Sequence, residues 1–66
     1  MREKLLEAFK GHATGMISTK VANGEVFLAS PVGVAEHPDT IDTIEKELEN
    51  IAHWDDMLEM SKKYFN

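Results

Sequence analysis

Apolar residues recur by threes and fours along the C-terminal half of this chain. Ile41, Ile44, Leu48, Ile51, Asp55, Leu58, Lys62 and Phe65 form one series, the spacing of a single helical stripe. Asp55 and Lys62 interrupt its apolar character. Trp54 and Ser61, each one residue earlier, take the facing position if the pattern drifts from 3.5 towards 3.6 residues per turn. Pro38 suits a first helical position, and Asp39 followed by Asp42 reads as an N-cap with a carboxylate three residues on. Acids crowd the first turns and Lys62 and Lys63 stand in the last, each sign matching the helix dipole. The pattern therefore predicts one long helix over 38–65, about 42 Å at 1.5 Å per residue.

The segment before it, Ser30-Pro31-Val32-Gly33-Val34-Ala35-Glu36-His37, is a connector. Two prolines and a glycine lie within 30–38, and Pro31 makes Ser30 a poor helical residue. It is short and apolar, so Val32, Val34 and Ala35 are expected to pack over one end of the helices.

Residues 2–29 admit two readings. The opening is helical, with Leu5, Leu6, Phe9, Ala13, Met16 and Ile17 on one side. From Ile17 onward the local signals divide. Asn23-Gly24, between Lys20-Val21-Ala22 and Glu25-Val26-Phe27-Leu28, is a strong type I′ β-hairpin signal. Continuing the helical series instead gives Leu6, Ala13, Ile17, Val21, Gly24 and Leu28, with Ala13 and Gly24 as positions of close approach. Gly11, Gly15 and Gly24 each cost a helix about 1 kcal/mol relative to alanine.

The chain from Asn23 to Phe65 resembles a family of short proteins encoded by tailed bacteriophages. The likeness is carried by Asn23-Gly24-Glu25-Val26-Phe27-Leu28 and by Pro31-Val32-Gly33-Val34-Ala35-Glu36-His37-Pro38-Asp39. Ile44-Glu45-Lys46-Glu47-Leu48-Glu49, Ile51-Ala52, Leu58-Glu59 and the closing Lys63-Tyr64-Phe65 complete it. The family shares the Pro-Val-Gly-(Val/Ile)-x-Glu-His-Pro-Asp connector and an acidic C-terminal helix ending in Lys-Tyr-Phe. Its members typically carry an apolar, non-glycine residue where Gly24 stands here. The resemblance implies that the Asn23-Gly24 stretch is helical, and it implies a phage origin; it implies no activity.

The expected fold is an all-α antiparallel helical hairpin, with a helix over 2–29, a connector over 30–37 and a helix over 38–65. The alternative is a short N-terminal helix, a β-hairpin at 17–29 and one long C-terminal helix. Either way, residues 1–66 form a single small domain.

Size then bears on partners. In a chain of 66 residues, hydrophobic burial barely offsets conformational entropy, so small domains lean on disulfides, metals or self-association. Cysteine is absent, which removes disulfides, thiolate metal sites and thiol catalysis. Self-association is favoured by elimination, most simply as a homodimeric four-helix bundle. Trp54, Met57, Met60, Tyr64 and Phe65 cluster in the last thirteen residues. Trp54 and Phe65 suit the seam with Leu58; Met57, Met60 and Tyr64 lie off it on a second stripe. These residue types are enriched at interfaces, and the five are the expected interface set.

Charge narrows the partners further. The net charge is −5, and it is uneven: residues 1–33 sum to +1 and residues 34–66 to −6. Direct nucleic-acid binding, which depends on lysine and arginine neutralising phosphates, is not expected. No run of about 18 apolar residues exists to span a membrane, and Met1–Lys10 lacks the apolar core of a signal peptide. The expected location is the cytoplasm, or the host cytoplasm or virion for a phage protein.

Chemistry-bearing constellations are thin. Glu49 and His53 are four apart and share a helix face, a start for a metal site that needs three or four ligands. The glycines fit no phosphate-binding loop, and adjacent Asp55 and Asp56 point about 100° apart on a helix, which is no acid/base dyad. No cofactor and no catalysis are expected. The sequence favours a non-catalytic interaction or assembly protein, an accessory virion or assembly component. The alternatives are a small acidic phage protein that binds and modulates a host protein, and a metal-binding helical module built on Glu49 and His53.

Overall fold

The structure, a computed structural model, describes residues 1–29 and 38–66, with backbone alone at 38–40. Among the described residues the fold is two helices, α1, Arg2–Leu28, and α2, Pro38–Phe65, packed side by side as an antiparallel hairpin. The ends of the two helices meet at Arg2, whose guanidinium donates to the Phe65 carbonyl and so satisfies one of the unpaired acceptors of the last turn of α2. Pro38 is the first residue of α2, as its fixed φ and missing N–H favour. Asp39 therefore stands inside the first turn rather than before it. Lys62 and Lys63 occupy the last turn, opposite in sign to the carbonyl end of the dipole. The connector expected over 30–37 lies outside the described residues.

Helix α1 runs unbroken through Asn23-Gly24 to Leu28 and ends on Ala29, whose N–H donates to the Glu25 carbonyl at 2.9 Å. This overturns the β-hairpin alternative at 17–29. A two-stranded ribbon is marginal in water by itself, whereas a helical stretch from Ile17 to Leu28 extends a face against which α2 packs. The inward positions of α1 are Leu6, Phe9, Lys10, Ala13, Met16, Ile17, Lys20, Gly24 and Phe27, spaced by threes and fours with one consecutive pair at each broad turn. Those of α2 include Ile44, Glu47, Ile51, Trp54, Leu58 and Ser61.

The α2 face is rotated from the expected series. Trp54 and Ser61 point inward in place of Asp55 and Lys62, and Ile41 and Leu48 are left about 60% exposed. The inward set Ile44, Glu47, Ile51, Trp54, Leu58 and Ser61 keeps the same three-and-four spacing, so the face is rotated about the helix axis; the rotation covers Trp54 and leaves Asp55 and Lys62 in water, where their charges are solvated. Ser61 is 7% exposed, and its hydroxyl is satisfied by donating to the Leu58 carbonyl at 2.8 Å. On α1, Leu5, Val21 and Leu28 also prove exposed rather than inward.

Ala13 is the one fully buried apolar residue among those described, and it marks where the helices can approach most closely. Gly24 does not serve that purpose. A Cβ placed there would meet nothing within 4 Å, and Gly24 instead lines a cleft of about 160 Å³ with Val21, Leu28, Ile44, Leu48 and Ile51 among its walls. Alanine fits that space and carries about 1 kcal/mol more helix propensity. Gly24→Ala is therefore expected to raise the thermal midpoint by about 4–8 °C, read by circular dichroism; an unchanged or lower midpoint would mean that the backbone at Gly24 is not an ordinary helix.

A candidate association surface

The hairpin is a rod of 50 × 16 × 11 Å with a radius of gyration of 15.2 Å, against about 11 Å for a compact chain of this length. Such a shape leaves much apolar surface uncovered. Its accessible surface is 5192 Å², whereas a compact monomer of this mass exposes about 4,200 Å².

Trp54 is half-buried in the seam and held between two imidazoles. The His12 ring meets it edge-on at 5.2 Å between centroids and 83° between planes, and the His53 ring at 5.5 Å and 76°. Edge-to-face packing of this kind suits the quadrupole of the indole. His12 is exposed otherwise, so its role is to cover one face of Trp54 from α1.

Met57 is half-buried and belongs to the seam more than its expected second stripe implied. Met60 is 38% exposed, and Tyr64 and Phe65 are more open still. Phe65, expected in the seam, is 58% exposed and instead borders the clefts at the start of α1 beside Leu6. Four of the five expected interface residues thus come together at the end where Arg2 and Phe65 meet. There a cleft of about 370 Å³ is walled by Met57, Met60, Ser61 and Phe65 of α2 and by Leu6 and Phe9 of α1. The contribution of α1 was missed in the sequence, although Leu6 and Phe9 share the three-residue spacing that marks a common face. Tyr64 stands beside this cleft, with the Lys63 ammonium 5.3 Å from its ring centroid.

Two further clefts follow the seam. On the opposite edge at the same end, about 290 Å³ is bordered by Arg2, Glu3, Glu7 and Lys10. Towards the Leu28 end, the cleft at Gly24 carries Lys20, Glu25 and Glu47, and one carboxylate oxygen of Glu47 is buried without a hydrogen-bond partner. The Met57–Phe9 cleft alone of the three has no ionisable side chain in its wall.

Glu49 and His53 are both exposed, and His53 is occupied with Trp54. Among the described residues no three of His, Asp or Glu gather as a metal-holding group. Elsewhere the exposed surface has local pairings of small weight: Lys62 and Glu59 at 3.7 Å, and Thr19 and Asn50 donating to carbonyls four residues back. No helix among the described residues is long and apolar enough to cross a membrane.

No protein-family model matches this chain, and no curated protein or solved structure matches it either.

Proposed function

We propose that this chain is a non-catalytic interaction and assembly protein of phage origin, an accessory component of the virion or of its assembly, and that its hairpin completes a core by pairing with a second copy. The observation that carries the association is the burial pattern: of the described apolar residues only Ala13 is fully covered, while large apolar side chains stand open along the rod. The uncovered surface exceeds that of a compact monomer by about 1,000 Å², and a standard interface takes about 800 Å² from each partner. A four-helix bundle of two hairpins removes that excess. The phage origin rests on the resemblance of the connector and of the Lys-Tyr-Phe ending. The non-catalytic reading is supported by the two-helix geometry, whose clefts lie along the outer edges of the seam and enclose no substrate.

Sedimentation equilibrium at micromolar concentration is expected to give twice the 7.4 kDa of one chain. The thermal midpoint should rise by roughly ten degrees for a hundredfold increase in concentration, because dimerisation stabilises by mass action. A monomer with full helicity and a concentration-independent melt overturns the association. Mass spectrometry of purified virions tests the second part, since an accessory virion protein must be found there.

A further inference from the structure

We propose that the second copy docks on one particular edge of the hairpin, the uncharged cleft at the Arg2–Phe65 end, so that two such clefts close on each other about a two-fold axis. This rests on the self-association reading and adds which face is used. Three observations select it. Each copy carries −5, so two copies approach best where neither presents acids. The cleft walled by Leu6, Phe9, Met57, Met60 and Phe65 meets that condition. The other edge at that end presents Glu3 and Glu7 with Arg2 and Lys10, and the cleft near Gly24 presents Glu25 and Glu47 with Lys20, so closing either on a second copy strips water from three or four charged groups per chain.

Shape points the same way. An isologous contact needs a surface that carries both a hollow and something to fill it. Here a hollow of about 370 Å³ is flanked by helical spacing: Leu5 stands one turn before Phe9 and Tyr64 one turn after Met60, each 64% exposed, so that these side chains can fill the partner's hollow. The surface to be covered also suits a second copy, since the excess over a compact monomer is close to one standard half-interface.

The test uses the full chain and two variants on the chosen edge, Met60→Glu and Leu5→Glu, with Leu48→Glu as a control on the exposed surface of the cleft at Gly24. All three positions are exposed in the single hairpin, and circular dichroism checks that each variant keeps its helices. Sedimentation is expected to show the dimer of Met60→Glu and of Leu5→Glu weakened on the order of a hundredfold or more, because each charge is buried twice in the symmetric contact. Leu48→Glu should dimerise as the parent does. A dimer indifferent to Met60→Glu and Leu5→Glu but lost on Leu48→Glu overturns the choice of face and leaves self-association standing. A parent chain that is monomeric at every concentration overturns both.

Discussion

Replacing Ala13 with aspartate is expected to abolish the hairpin. Ala13 has no accessible surface. A carboxylate there has to lose its water. Its nearest basic neighbour along α1 is Lys10, one turn back and half-buried itself, so pairing would draw a second charge out of solvent. The alternative is for the helices to part, which uncovers the half-buried ring of Phe9 and the side chain of Ile17. Either route costs several kcal/mol, and the whole fold holds only about 3–10 kcal/mol at this length. Ala22→Asp makes the same chemical change at an exposed position of the same helix, where the cost is about 0.7 kcal/mol of helix propensity. Circular dichroism at 222 nm should therefore show helicity lost in Ala13→Asp and kept in Ala22→Asp. Equal melting of the two variants would mean that the helices do not meet at Ala13.

Much of this architecture was legible in the residues, and the parts that were not have physical causes. The limits of α2 could be read because its end signals act locally: Pro38 fixes φ at the first turn, and Lys62 and Lys63 match the dipole at the last. Asn23-Gly24 could not be read locally. The same pair suits a tight turn, and what decides for helix is the facing helix α2, distant in sequence, beside which Ile17 and Phe27 are half-buried. Local turn rules contain nothing about that partner. The rotation of α2 was half legible. The series through Ile44, Ile51 and Leu58 located the correct side, but it joined them to Ile41, Leu48, Asp55 and Lys62, whereas the seam joins them to Glu47, Trp54 and Ser61 at the same spacing, a rotation that leaves the charges of Asp55 and Lys62 in water. The cleft at the Arg2–Phe65 end was legible from α2 alone, through Met57, Met60 and Phe65. Its other wall required knowing which turn of α1 lies opposite, and that follows from the antiparallel register of the two helices rather than from either pattern. The T-shaped His12–Trp54 contact was hidden for the same reason, since His12 comes from the facing helix.

That rotation of α2 makes a sharp distinction between two leucines that periodicity treats alike. Leu48 and Leu58 both belong to the three-and-four series, so spacing assigns the same penalty to an aspartate at either place. The structure does not. Leu58 is half-buried in the seam, and its carbonyl accepts the hydroxyl of buried Ser61. Leu58→Asp gives up part of the roughly 1.5–3 kcal/mol that leucine burial supplies. It also brings a charge towards the seam, and the two terms together reach about 3 kcal/mol. Leu48 is 61% exposed. An aspartate there points its carboxylate into water, and Leu48→Asp is expected to cost under about 1 kcal/mol, chiefly in helix propensity. By the scaling for a domain of this size, the thermal midpoint falls by more than about 12 °C in the first variant and by less than about 8 °C in the second. The measurement is a pair of melts at one protein concentration, low enough that association contributes little. Equal losses would place Leu48 in the seam and turn α2 towards the Ile41–Leu48 face, in which case Trp54 and Ser61 would have to swing outward together.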